Sequence, residues 1–321
     1  MMFGTRDEFE YFQCECCGCL QITNIPRNLN QYYPPTYTSH TQHNHKTPRK
    51  SWLTHYLQKQ RTKTALFDRH HKINKILKSF VDYSHTLRKR PNDVSSIEKI
   101  IKTAGIQQFD ARILDVGCGS YSRWLACLNE LGFTNLTGID PLIPEDKTYL
   151  GMRVIKSELA NIGGEYDLIT LHHALEHIED QDSIFREIAR HLKPGGVCLI
   201  RIPVIPSKVW DQYKTNWVEL DPPRHLYIHT PRSLEQLANR SGLAIYQVDY
   251  DSTAFEFYGS ELYSRNIPLT DPDSPWINPK SSLFSREQMD AFKSLAKEAN
   301  LAKQGGRAAF FLRKATYHAA T

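Results

Sequence analysis

The chain has 321 residues, 40% hydrophobic, 23% charged and 11% aromatic, a profile that excludes an intrinsically disordered, collagenous or coiled-coil protein and points to a globular enzyme or binding protein. Its net charge of +5 conceals an asymmetry: residues 46–90 hold 13 Lys/Arg against 2 Asp/Glu, or +11, leaving 5 − 11 = −6 for the rest. No stretch reaches the ~18 apolar residues of a membrane span, and the first thirty residues lack a basic leader with an apolar block, so a cytoplasmic protein is expected.

Residues 1–45 are aromatic, polar and turn-rich, and read as an irregular Cys/His-containing module. Cys14, Cys16, Cys17 and Cys19 cluster there, with His40, His43 and His45 downstream. The odd total of seven cysteines argues for reduced thiols, so chemistry in the cluster would be metal and not disulfide. Cys14 to Gly18 has the form of one zinc knuckle, which makes Cys14 and Cys17 the candidate metal ligands. A structural zinc needs four ligands, however, and a second such pair is missing.

Residues 46–105 form a basic helical extension. Leu53, Tyr56 and Leu57, then Ile73, Ile76, Leu77 and Phe80, fall at three- and four-residue spacing, and Leu53, Leu57, Ile76 and Leu77 supply a face to pack inward. Such a basic run suits RNA phosphates or an anionic sugar nucleotide, though it is more often a solvated helix face. No RNA-binding motif accompanies it, so nucleic acid is not expected as a partner. A further helix through Ile97, Ile100, Ile101 and Ala104 stops at Gly105.

From residue 106 onward short apolar strands alternate with helical segments, the mark of a parallel α/β architecture. Seven strands are expected: 112–116, 136–140, 153–155, 167–171, 197–202, 244–248 and 308–312. Helices are expected at 124–131, 182–191, 231–241 and 286–302. Two long segments, 203–230 and 251–285, exceed ordinary crossover loops and are expected as lids.

The first of those strands runs through Ile113-Leu114-Asp115-Val116 into Gly117-Cys118-Gly119. Glycines at such a turn let a ligand approach the backbone, and the helix that follows offers free amides. Asp140, 140 − 119 = 21 residues after the second glycine, ends the next strand, where a carboxylate accepts both hydroxyls of an adenosine ribose. Dinucleotide folds share this layout. Here, though, Ser122 stands where the third glycine of their fingerprint belongs, and Asp115 suits a ligand bearing an ammonium, as S-adenosylmethionine does.

Asp115-Val-Gly117-Cys-Gly119, Gly138-Ile-Asp140-Pro141, Glu165-Tyr-Asp167-Leu-Ile, Leu171-His172-His173-Ala-Leu-Glu176-His177 and Leu192-Lys-Pro194-Gly-Gly196 occur in the order found in class I S-adenosylmethionine-dependent methyltransferases. The chain resembles the branch labelled methyltransferase domain 23, over about residues 106–248, and 306–312 is similar to that fold's antiparallel last strand. The resemblance implies a Rossmann-like, seven-stranded, mostly parallel sheet and a methyltransferase domain over 106–321. It also implies that Gly117 and Gly119 pass under the cofactor's methionine and ribose, and that Ser157 or Glu158 sits near the adenine amine. Tyr121 departs from the pattern, since such enzymes place a glycine there, and its ring is expected to crowd the methionine end. By the same resemblance the cysteine cluster is similar to a zinc ribbon that has lost its first knuckle.

Methyl transfer from a sulfonium is an in-line displacement, and an oxygen or acidic-carbon acceptor must also lose a proton. In the resemblance the residues just past the fourth strand face the methyl, so His172 and His173 are candidate bases, and His172 a cofactor contact too; neutral imidazole serves as a base near pH 7. His225, in the polar and aromatic segment 217–227, is the third candidate. His177 is expected to orient the helix it begins, with Glu176 as partner. No Asn/Asp-Pro-Pro-Tyr/Phe tetrapeptide follows the fourth strand, which disfavours adenine amino methylation. The expected activity is O- or C-methylation of a small-molecule or glycan-related acceptor. The alternatives are a non-catalytic scaffold on a cofactor fold and an RNA methyltransferase using the basic helices.

Overall fold

A computed structural model describes residues 2–34, 52–67, 71–83, 87 and 91–315. His40, His43 and His45 and part of the basic run lie outside the described residues. Contacts divide the chain into two compact units: Pro35–His172 with Arg186–Leu199 and Thr316–Thr321, and Met1–Pro34 with His173–Phe185 and Ile200–Ala315.

In chain order the elements begin with strands β1 (Tyr11–Gln13) and β2 (Leu20–Ile22), then helices α1 (Trp52–Leu66), α2 (His71–Lys78) and α3 (Pro91–Thr103). The next group is β3 (Ile113–Val116), α4 (Arg123–Glu130), β4 (Leu136–Ile139), β5 (Lys147–Tyr149), β6 (Met152–Ile155) and β7 (Tyr166–His172). Then come α5 (Gln181–His191), β8 (Leu192–Pro203), α6 (Lys208–Tyr213), β9 (Tyr227–Ile228) and α7 (Pro231–Arg240). The chain closes with β10 (Leu243–Tyr250), α8 (Ala254–Ser264), α9 (Arg286–Leu301) and β11 (Arg307–Lys314).

The first unit is built on the strand order β8-β7-β3-β4-β6-β5. β3 pairs in parallel with both β4 and β7, and β4 with β6, which is why these strands read as short, mainly apolar runs. Ile113, Leu114, Ile139, Val154, Leu168, Ile169 and Leu171 are fully or almost fully buried, and Leu125 and Leu128 of α4 are buried with them. The antiparallel edge strand β5 is absent from the sequence expectation because three residues, two of them half-buried, carry no readable alternation. α4 starts where Ser122 Oγ accepts the Leu125 amide at 3.0 Å, and it stops before Gly132 at φ +104. In α1 and α2 the predicted inward face is only half realised: Leu53 and Ile76 are 50% and 61% exposed.

In the second unit β10 and β11 pair antiparallel over Leu243–Tyr250, so the last strand has the expected direction. The same unit holds a small sheet, β1-β2-β9, all antiparallel. Segments 203–230 and 251–285 contribute a core of their own: Ile205, Val209, Trp217, Leu220 and Phe257 form one apolar cluster, and Val218, Leu262, Tyr263, Leu269 and Phe284 another. α7 begins at a capping box between Thr230 and Ser233 with Pro231 in its first turn, and α9 at one between Ser285 and Gln288. The fold is therefore mixed α/β, with a mostly parallel sheet and an antiparallel final strand.

Candidate active site

In the first unit, the tip of β3 leads into the turn at Gly117 and Gly119, whose φ values are +71° and +65°. Both are left-handed, so any side chain there would strain the backbone as well as fill the space a ligand needs. The turn is held by the Gly117 and Cys118 amides, which both donate to the Ile139 carbonyl at 2.8 and 3.2 Å. Gly138 lies below it, because a Cβ at that place would stand 2.6 Å from Cys118 Sγ.

Asp140, 8% exposed, follows β4 and turns toward this loop. Its Oδ2 accepts the Gly119 amide at 2.9 Å and its Oδ1 the Leu142 amide at 2.8 Å. Each oxygen has a second lone pair, so the carboxylate retains acceptor capacity for ribose hydroxyls. The Asp140 amide donates to the Ile155 carbonyl at 3.1 Å, which sets the end of β4 against the end of β6; Ser157 and Glu158 follow within three residues of that contact. Glu158 is exposed and Ser157 half-buried, its hydroxyl donating to the Glu158 carbonyl at 3.0 Å.

Asp115 does not face an open hollow. It is 3% exposed, opposite Thr170 in the β3–β7 register, and accepts from Thr170 Oγ1 at 2.8 Å and Ser122 Oγ at 2.6 Å. Burial pushes its carboxyl up to about 6, against the pull of the two hydroxyl donors. Its observed work is to fix Ser122, hence the start of α4, beneath the glycine turn. Tyr121 stacks on Tyr149 with centroids 5.3 Å apart and planes at 29°, and the Tyr149 hydroxyl accepts the Ser122 amide at 2.8 Å. No sequence pattern marks Tyr149 as that partner, since the three residues of β5 carry no readable alternation. His172 ends β7 one residue past the Val116–Leu171 pair, with its ring 5.1 Å from that of Trp124.

The second unit gathers the other histidines. His173 has φ +53°, a left-handed backbone uncommon for a side-chain-bearing residue, and its amide donates to the Arg201 carbonyl at 2.9 Å. Its Nδ1 lies 3.3 Å from Glu176 Oε1, with a side chain 31% exposed beside a carboxyl 1% exposed. Glu176 thus partners His173 and not, as expected, His177. His177 Nδ1 instead lies 2.9 Å from the Arg224 carbonyl and 3.3 Å from the Tyr33 hydroxyl.

His225 is buried, its Nδ1 2.7 Å from the Glu219 carbonyl and its Nε2 4.0 Å from Glu176 Oε1 and 3.9 Å from Asp221 Oδ2. The His177 and His225 rings meet edge to face at 4.7 Å. Burial lowers both imidazoles, His177 to about 3, so both are neutral at physiological pH. Asp221 is an ion: burial opposes its charge, but Arg224, which donates to both its oxygens, holds the carboxyl below the usual range.

Cys14 to Cys19 form the turn between β1 and β2, closed by the Cys14 amide on the Cys19 carbonyl at 2.9 Å and the Gly18 amide on the Cys14 carbonyl at 2.7 Å. None of the seven cysteines forms a disulfide. Among the described residues the only three-residue His/Cys/Asp/Glu group close enough to share a metal ion is Glu176, His177 and His225, so nothing described adds a third ligand to Cys14 and Cys17. A cavity of about 620 Å³ beside this turn, bordered by Cys16, Cys17, Pro206 and Trp210, contains none of the histidine or cofactor-loop candidates.

The sequence profile of the methyltransferase domain family matches residues 69–248, more than half of the chain. The chain therefore belongs to that family, whose members are class I S-adenosylmethionine-dependent methyltransferases. It is 25% identical over 187 residues to the sterol 24-C-methyltransferase of Aspergillus fumigatus, a match covering 54% of this chain and 46% of that protein. It is 31% identical over 101 residues to the ubiquinone biosynthesis O-methyltransferase of Escherichia coli, covering 27% of this chain and 41% of the relative. The chain thus spans less than half the length of these curated relatives. Among solved structures, a putative sarcosine dimethylglycine methyltransferase from Galdieria sulphuraria matches with a TM-score of 0.44 and 18% identity, covering 71% of this chain and 86% of that one. No helix among the described residues is long and apolar enough to cross a membrane.

Proposed function

We propose that this chain is a cytoplasmic enzyme that transfers the methyl group of S-adenosylmethionine to an oxygen or carbon of a small-molecule or glycan-related acceptor. The cofactor supplies a methyl on a sulfonium, an electrophile that needs no further activation. The residues present fit it: two left-handed glycines leave a surface without Cβ atoms, and Asp140 is held at the loop with lone pairs to spare. In this reading Gly117 and Gly119 take the methionine and ribose, Asp140 the ribose hydroxyls, Ser157 and Glu158 the adenine edge, and His172 the cofactor's flank. Asp115 acts through Ser122 as a positioning residue. The stacking of Tyr121 on Tyr149 gives its ring a place of its own.

The observation that carries the catalytic assignment is the pair His173–Glu176. A strained left-handed backbone fixes His173, and Glu176 Oε1 lies 3.3 Å from its Nδ1, where a carboxylate stabilises the imidazolium that forms as Nε2 takes a proton. His173 is therefore assigned as the base. His172 packs on Trp124, and His225 is buried with Nδ1 against a carbonyl, so neither is as well placed to meet an acceptor. The relatives named above as C- and O-methyltransferases support the range of acceptor atoms. The test is incubation with methyl-labelled cofactor and a fractionated cell extract. Label in one low-molecular-weight fraction, absent with His173→Gln, supports the reading; label only in RNA or protein, or none above blank, contradicts it.

A further inference from the structure

Glu176 sits in the second unit with its carboxyl 1% exposed, and neither of its oxygens accepts a hydrogen bond. A buried carboxylate in that condition is costly unless a cation or a proton compensates it. Arg224, which carries the carbonyl that meets His177, already donates to both oxygens of Asp221. What faces Glu176 instead is imidazole: His173 Nδ1 at 3.3 Å and His225 Nε2 at 4.0 Å, with His177 adjoining His225.

The outer contacts of the half-buried His177 ring and the buried His225 ring point the same way. A backbone carbonyl only accepts, so the contacts of His225 Nδ1 with the Glu219 carbonyl at 2.7 Å and of His177 Nδ1 with the Arg224 carbonyl at 2.9 Å place the proton on Nδ1. Each Nε2 then carries a lone pair. A carbonyl behind Nδ1 is the arrangement that orients metal-ligating histidines. One carboxylate oxygen of Glu176 and one ring nitrogen each of His177 and His225 all lie within 4.8 Å of one another. Two neutral nitrogens and one carboxylate oxygen suit a borderline divalent cation and leave coordination positions open.

We propose that Glu176, His177 and His225 bind one divalent transition-metal ion of the Zn2+, Fe2+ or Co2+ type. Asp221, whose Oδ2 is 3.9 Å from His225 Nε2, stays paired with Arg224 and adds no net charge. The three ligands belong to the unit that holds none of the glycine-loop residues, so the site stands without the methyl-transfer reading. That the cation lowers the pKa of an acceptor oxygen beside His173 is a further step that does rest on it.

The test uses the full chain carrying Cys14→Ser and Cys17→Ser to silence the thiols, stripped with EDTA and dialysed against Co2+. The expected result is one Co2+ per chain by elemental analysis, with a visible d–d spectrum and no strong thiolate charge-transfer band. Glu176→Gln and His225→Gln should each weaken binding at least about tenfold. Affinity for S-adenosylhomocysteine, measured on the same samples, should be unchanged in both, which also shows that they are folded. No Co2+ uptake by the parent, or uptake undiminished in both variants, overturns the proposal and leaves Glu176 a neutral, protonated acid. Cation uptake without S-adenosylhomocysteine binding would sink the function proposed above and leave this site standing.

Discussion

Thr170 Oγ1 donates to Asp115 Oδ1 at 2.8 Å across the β3–β7 pair, 55 residues apart in sequence. With Ser122 on the other oxygen, this bond makes a buried acid the anchor of the glycine turn and of the helix behind it.

Thr170→Val keeps the shape and the β-branched fit but removes one of the acid's two donors. The expected loss is about 1.5–3 kcal/mol of stability, since the acceptor is partly charged and fully buried. Urea unfolding at pH 7 reads this directly, and a midpoint equal to that of the parent would show that the bond does not anchor the turn.

Asp115 titrates near 6 when folded, above its ordinary 3.8, because it is buried. Its contribution to stability is therefore complete below about pH 4 and is lost as pH rises through 6; ionisation above that costs up to about 3 kcal/mol. Asp115→Asn, which keeps an acceptor oxygen for one hydroxyl and turns an amide donor toward the other, should raise Tm relative to the parent at pH 8 and much less at pH 5. Thermal scans at the two pH values compare the shifts.

His173 pays in strain for its position at φ +53°. His173→Gly should gain about 1 kcal/mol of stability while turnover falls ~10²–10⁴-fold, the usual range for losing a general base. Calorimetry and single-turnover rates on one preparation test both halves; a variant that is stabilised and still active would remove His173 from the chemistry.

Arg307 is the hub of a buried ionic group. Its Nε donates to Asp251 Oδ1 at 2.9 Å, and burial together with Glu256 pushes the Glu219 carboxyl up to about 8 against the pull of Arg307. Arg307→Met leaves these acids without their main cation and should cost about 3–5 kcal/mol at neutral pH. Protonation relieves buried acids, so the deficit should shrink toward pH 5. Denaturant midpoints of variant and parent at pH 5 and 8 give the difference.

The glycine turn was legible because its signal is local: an apolar strand, two glycines in a turn and an acid at the next strand's end lie within Ile113–Asp140. Thr170 and Tyr149 were not, since nothing in a run of residues says which distant hydroxyl will face a buried acid. The pairing of Glu176 escaped for a related reason. The sequence sets it beside its neighbour His177 at the start of an expected helix, whereas the chain forms only a three-residue 3-10 turn there and His173 leaves the strand in a left-handed conformation. The exposure of Leu53 and Ile76 shows the converse limit, because periodicity marks a face without saying what, if anything, covers it.

Calorimetric titration of S-adenosylhomocysteine into the parent chain and into Asp140→Ala tests the nucleotide cradle most directly. One site per chain is expected, weakened about 10–100-fold in the variant, or roughly 1.4–2.7 kcal/mol for the lost ribose contacts. No heat from the parent, or equal affinity in the two proteins, would contradict the assignment of the glycine turn and Asp140 to the cofactor.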